Sequence, residues 1–217
     1  MTNKMINNKA ILSGKVTEAP VYSHSVYGEA FYIFKITTLR TSGIPDIIPV
    51  MVSERTEHFN DIEPGIFFIV EGEYHSHNRH EGDRSRLLLY VFAFNIRSSD
   101  RMEDYWDDNI NMLNITGSIC MNPNYRETPL GRQITDLMVA VNRNHGKSDY
   151  IPCIAWGKNA MFTAGLEVGT QVEITGRIQS REYCKVLSET AVETRVAYEV
   201  SVRRIRVVRK NKTIIEL

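Results

Sequence analysis

The sequence predicts an all-β chain built from two tandem copies of one small barrel, and three observations carry that expectation. The 217 residues, 42% hydrophobic and 24% charged, suit two globular units of roughly 100 residues each. The chain also repeats itself. At an offset of 103, Gly14 falls on Gly117, Pro20 on Pro123, Gly28 on Gly131, Arg40 on Arg143 and Pro49 on Pro152. At 104, Gly65 falls on Gly169 and Gly72 on Gly176, so one inserted loop residue explains the change of offset. Finally, apolar residues alternate at strand period: Leu137, Val139 and Val141 are separated by Met138 and Ala140, and residues 172–176 and 198–202 behave likewise.

The elements follow in the same order in both copies. The first copy opens with residues 10–13 and continues through strand-like runs at 31–39, 47–52, 66–73 and 87–94. The second opens with residues 113–116 and has its third strand around 150–156. Segments of helical composition, residues 53–62 and 158–166, sit between the third and fourth strands. Five strands with one short helix between strands 3 and 4 is the order of the OB fold, a five-stranded Greek-key barrel. An SH3-like barrel lacks that helix. The expected organisation is a first barrel at 1–100, a linker at 101–112 and a second barrel at 113–217. The linker is acidic, holds Tyr105 and Trp106, and has no period.

Net charge is zero, which argues against a generally basic polyanion binder, but the balance is uneven. Residues 1–100 carry 10 Lys/Arg against 12 Asp/Glu, and residues 113–217 carry 15 against 10. A basic half beside an acidic one suggests that one half meets a polyanion, though charge alone also fits simple solubility. No run reaches the ~18 apolar residues that span a bilayer, so no membrane association is expected. Residues 1–8 hold no apolar run, so no signal peptide is expected. Cys120, Cys153 and Cys184 form no CxxC and read as free thiols of a reducing cytoplasm. No P-loop, HExxH or GxSxG is present, so no catalysis and no cofactor are expected. His75, His77 and His80 offer metal-ligand chemistry, the first two on one strand face, but the favoured reading is a solvated His-rich hairpin with no metal, residues 74–83 being read as its loop.

Five segments of the second copy resemble the bacterial single-stranded DNA-binding protein family. They are Leu113-Asn114-Ile115-Thr116-Gly117, the loop from Asn122-Pro123-Asn124-Tyr125-Arg126 to Gly131, Val139-Ala140-Val141-Asn142-Arg143-Asn144, Tyr150 to Lys158, and Val168 to Arg181. Order, spacing and residue type agree over roughly 113–207, whereas the first copy matches only in skeleton. The resemblance implies an OB barrel that binds single-stranded DNA with little sequence preference in replication, recombination or repair. Such sites combine a basic groove with aromatic platforms for the bases. The family's stacking positions match Tyr150, Trp156 and Tyr183.

Strand parity adds independent support. Tyr150, Pro152, Ile154 and Trp156 share one face, and Arg177, Gln179, Arg181 and Tyr183 share another. Two guanidiniums, an amide and a phenol make a poor core face. The expected DNA-binding set is Tyr150, Trp156, Lys158, Arg177, Gln179, Arg181, Tyr183 and Arg143. Taken alone, a Trp near a strand end is more often core. The basic run Arg203 to Lys212 reads equally as a solvated tail or a backbone contact.

In the repeat register Tyr150 maps onto Ile47, Trp156 onto Ser53 and Tyr183 near Arg79, so the first copy is expected to be degenerate for DNA and to serve oligomerisation or protein contacts. Residues 87–94, apolar at both parities, supply a candidate surface for a homodimer presenting four OB barrels. The chain departs from the family in ending Lys210 to Leu217, without the acidic tip that recruits replication and repair proteins. The expected setting is the bacterial cytoplasm and nucleoid. Two other readings stay open: an interaction factor like the primosomal PriB proteins, and a single-stranded RNA binder.

Overall fold

Alternation of buried and exposed positions runs along nearly every strand of the computed structural model, which describes residues 7–82, 84–98, 110–143, 146–188 and 191–208. The first copy contains β1 (Asn8–Val26), β2 (Glu29–Leu39), β3 (Pro45–Ser53), β4 (Phe67–Glu81) and β5 (Arg84–Ser98). Strand β1 pairs with β2 and β4, β3 pairs with β2 and, in parallel, with β5, and β4 pairs with β5. Five strands thus close on themselves. The second copy repeats this with β6 (Asn111–Ile119), β7 (Asn124–Glu127), β8 (Gln133–Asn142), β9 (Ser148–Trp156), β10 (Gln171–Ser188) and β11 (Ala191–Val207). There β6 pairs with β8 and β10, and β9 pairs with β8 and, in parallel, with β11. Both copies are OB barrels.

Each barrel is filled by the inward parity of its strands. Phe34, Ile36, Ile48, Val50, Val70 and Val91 fill the first, and Leu113, Ile115, Val139, Ile151, Ile174 and Val200 the second. Closure brings backbones together at the repeated glycines. A Cβ on Gly72 would lie 2.1 Å from the Phe92 carbonyl oxygen, and one on Gly176 2.4 Å from that of Ser201. The matching punctuators in the sequence therefore mark strand crossings that admit no side chain.

Three local expectations change. The helix between strands 3 and 4 is present in the second copy as α1 (Lys158–Ala164), but residues 53–62 of the first hold only a single 3-10 turn, Phe59–Asp61. His58 takes a left-handed conformation (φ 65°) just before that turn, which stops an α-helix from forming there. Residues 74–81 are not loop. They continue β4, paired with β5 as far as Glu81–Arg84; Tyr74 and His75 are buried, and residues 77–79, exposed on both faces, need no apolar alternation. The apolar double parity of 87–94 resolves into an inner row, Leu89, Val91 and Ala93, and an outer aromatic row, Tyr90, Phe92 and Phe94. The linker 101–112 lies outside the described residues as far as residue 109, and residues 111 and 112 already belong to β6.

The barrels join through β1 and β6, which pair antiparallel from Asn8–Ile115 to Leu12–Asn111 and merge the strands into one continuous sheet. Polar side chains repeat this junction with pseudo-two-fold symmetry. The Asn8 amide brackets the backbone of Tyr74 (2.8 and 2.9 Å), and the Asn111 amide brackets that of Ile178 (2.7 and 2.9 Å). Each of these amides satisfies a backbone donor and acceptor that would otherwise be stranded at the seam.

Candidate nucleic-acid interface

A groove of about 1060 Å³ opens along the outside of the second barrel. Four of its walls come from that barrel: Arg126 and Arg132 from the β7–β8 hairpin, Ile154 and Trp156 from β9, Arg177 and residues 179–182 from β10, and Glu199 and Ser201 from β11. The fifth comes from the first barrel, where the β2–β3 turn contributes Arg40, Ile44, Pro45 and Ile47. The outward parity read from β9 holds. Ile151, Cys153 and Ala155 point into the barrel, while Trp156 is 37% and Tyr150 47% exposed.

Two of the arginines are neutralised and three are not. Arg126 forms a two-point pair with Asp136 (2.7 and 3.1 Å). Arg40 pairs with the buried Asp46 (2.6 and 2.9 Å). Arg132, Arg177 and Arg181 have no carboxylate partner among the described residues. Arg177 gives one NH2 group to Gln179 Oε1 (3.2 Å), while its buried Nε has no hydrogen-bond partner there. Burial pulls this guanidinium below its ordinary value; the charges of Arg40 and Arg203 act in the same direction, and the Asp46 carboxylate acts against them. The floor of the groove is thus a partly desolvated cation with no carboxylate in direct contact among the described residues. Arg181 lies over the Tyr183 ring, 5.9 Å from its centroid, so cation and platform sit side by side at the hairpin end.

The sequence-derived residues divide between groove and scaffold. Trp156, Arg177, Gln179 and Arg181 line the groove, Tyr183 (37% exposed) adjoins Arg181, and Lys158 is exposed at the start of α1. Gln179 is buried in the wall, donating Nε2 to Glu199 (2.6 Å) while accepting from Arg177. It orients the arginine more than it offers itself. Tyr150 stands at the other end of its row, where its backbone N–H donates to Ser76 Oγ of the first barrel (2.8 Å). Arg143 lies away from the groove. Its guanidinium is bound by the buried carboxylate of Asp149 and donates to the Ser76 carbonyl (2.9 Å). Arg143 was expected in the DNA-binding set; its charge is instead taken up by a carboxylate six residues on, across the β8–β9 hairpin, and its remaining contact is a segment of the first barrel 67 residues away.

Arg143 and Arg40 are the two halves of one symmetric device. Arg40 with Asp46 grips Ser180 of the second barrel, through the Ser180 carbonyl (3.2 Å) and N–H (2.8 Å), and Ile47 N–H donates to Ser180 Oγ (3.0 Å). Arg143 with Asp149 grips Ser76 of the first in the same way. Asp149 also accepts from His75 Nδ1 (2.8 Å), so this histidine is a buried bridge between barrels and not part of a solvated cluster. Sequence reading passed over Arg40, Arg126 and Arg132. The coincidence of Arg40 with Arg143 in the repeat was the available signal, and it marked the clamp.

Similarity to known proteins agrees with this geometry. The model of the single-strand binding protein family matches residues 110–208. A single-stranded DNA-binding protein of Clostridium tetani is 35% identical over 81 residues, covering 34% of this chain and 56% of that protein. Single-stranded DNA-binding protein B of Bacillus subtilis is 32% identical over 80 residues, covering 34% of this chain and 71% of that protein. The chain spans about half the length of several curated relatives that it matches. The crystal structure of the single-stranded DNA binding protein from Thermus aquaticus superposes with a TM-score of 0.74 at 20% identity, covering 95% of each chain, so the likeness of fold extends over both barrels. No helix among the described residues is long and apolar enough to cross a membrane. With a two-barrel fold of this kind, and a relative matched over more than two thirds of its length, the chain belongs to the single-strand binding protein family.

Proposed function

We propose that the chain binds single-stranded DNA with little sequence preference and without catalysis, in DNA replication, recombination or repair. The observation that carries this is Arg177, its buried Nε without a hydrogen-bond partner and no carboxylate in contact, lining one groove with Trp156, Arg132 and Arg181. A polyanion supplies the missing counter-charge, and a half-exposed indole supplies a face for a base. Bases stack on Trp156 and Tyr183. Phosphates run past Arg132, Arg177, Arg181 and Lys158. Gln179 holds Arg177 in place, and Tyr150 marks where the strand leaves toward the first barrel. The names of the relatives support DNA as the ligand.

Titration of the full chain with oligo-dT at several salt concentrations, following tryptophan emission, tests this against a matched oligo-U. Expected are a quench, tighter binding to DNA, and a log–log salt slope that loses about one phosphate's worth in Lys158→Ala or Arg181→Ala. Absence of binding at low salt, or preference for RNA, overturns the reading.

The second barrel carries the platforms, and the first carries protein contacts and one groove wall. A homodimer presenting four barrels is the expected assembly, closed two-fold pairing being the commonest solution. Sedimentation at micromolar concentration should report twice the chain mass, and a monomer there would reject it. Replication or repair proteins are the expected further partners, in the bacterial cytoplasm at the nucleoid.

A further inference from the structure

The first barrel has its own version of the groove face, with the charge reversed. The parallel pairings Val50–Val91 and Met51–Phe92 correspond to Cys153–Val200 and Ile154–Ser201, so the two faces align position by position. Where the second barrel has Arg132, Arg177 and Trp156, the first has Glu29, Glu73 and Ser53. Where it has Ile134, Glu199, Ser201 and Arg203, the first has Phe31, Tyr90, Phe92 and Phe94. The rings form one stripe. Phe92 lies 5.9 Å from both Phe31 and His75 and 6.3 Å from Phe94, which is 57% exposed. The Glu29 and Glu73 side chains remain 30% and 35% exposed beside it; Glu29 lies 3.6 Å from the exposed Arg55 guanidinium and Glu73 3.4 Å from His75 Nε2, surface contacts that leave oxygens of both open to a further cation.

A phosphate backbone laid on this face meets carboxylates where the second barrel offers guanidiniums. Ring faces bounded by carboxylates instead suit a cation, which is attracted by the ring quadrupole and by the acid together. We propose that this face of the first barrel is a docking site for a basic segment of a partner protein, whose Arg or Lys side chains lie over Phe92 and Phe94 and between Glu29 and Glu73. Alternating apolar residues of the segment cover the remaining ring edges. The site stands apart from the DNA-binding reading, because none of these residues lines the groove of the second barrel.

The test uses the full chain and a fluorescein-labelled peptide of alternating arginine and leucine, with a glutamate–leucine peptide as the control. Expected is saturable binding of the arginine peptide alone, weakened about tenfold or more by Glu73→Lys and by Phe94→Ser and unchanged by Trp156→Ala. Phe94 is exposed, so its replacement leaves the fold intact, and circular dichroism checks this. No saturable binding, or binding indifferent to both variants, overturns the proposal. So does a loss of oligo-dT affinity in Phe94→Ser, which would put the DNA strand on this face. Dissociation of the assembly by Phe94→Ser would put a second copy there and overturn it equally.

Discussion

Replacing Asp149 with Ala should cost about 3–5 kcal/mol of stability, the loss expected when one partner of a buried ion pair is removed. The carboxylate is fully buried and accepts from three partners, the Arg143 guanidinium, His75 Nδ1 and the Ser76 N–H, and Arg143 in turn donates to the Ser76 carbonyl. Without it a half-buried guanidinium and a buried imidazole lose their acceptor at the seam between the barrels. Burial alone would raise this carboxyl, but hydrogen bonds from Arg143, His75 and Ser76 hold it down at about 2, against an ordinary 3.8. A depressed carboxyl contributes stability that is fully present above its unfolded value and is lost as pH falls through the folded one. The intact protein should therefore shed about 2 kcal/mol between roughly pH 4 and pH 2 from this group alone, and Asp149→Ala should lack that limb. Urea unfolding of both proteins across that range measures it. A loss below ~1 kcal/mol at neutral pH would mean that the clamp is dispensable.

Trp156→Ala should weaken single-stranded DNA binding by about 1–3 kcal/mol while leaving the fold nearly as stable as before. Its indole is 37% exposed on the groove wall, opposite Ile134 on the neighbouring strand, so truncation removes a platform without opening a core cavity. A buried tryptophan would instead cost about 3–5 kcal/mol of stability. The second tryptophan, Trp106, lies outside the described residues, in the acidic linker. Trp106→Phe isolates the Trp156 signal. A quench by oligo-dT that survives Trp106→Phe and vanishes in a folded Trp156→Ala confirms stacking. A quench that disappears with Trp106 relocates the contact to the linker. Lys158 and Arg181 differ in kind, since their loss flattens the salt dependence and leaves the quench.

Much of the architecture was legible because it is local or periodic. Strand parity set which face of β9 and β10 is wet, and the β10–β11–β9 pairing then brought Trp156, Arg177 and Arg181 to one groove. The repeated glycines marked strand crossings, and the repeat register aligned the two barrels before any contact was known. Five short segments in family order were enough to expect the OB fold and its ligand. A helix between the third and fourth strands was readable where Lys158–Ala164 holds a full α-turn, and misread where left-handed His58 cuts the first copy down to one 3-10 turn.

The partners of each charge were decided only by the tertiary structure. Arg143 looked like a free cation in sequence but is spent on Asp149 and Ser76, and Gln179 looked like a DNA contact but is walled in by Glu199 and Arg177. Arg40 looked like part of the degenerate copy but reaches Ser180, 140 residues away, and walls the groove of the other barrel. Periodicity is a property of one strand and so can be read along the chain. The carboxylates that neutralise Arg40 and Arg143 lie only six residues on, across their own hairpins, but what each pair grips is a segment of the other barrel, and that contact is determined by the β1–β6 seam, which no single strand reveals.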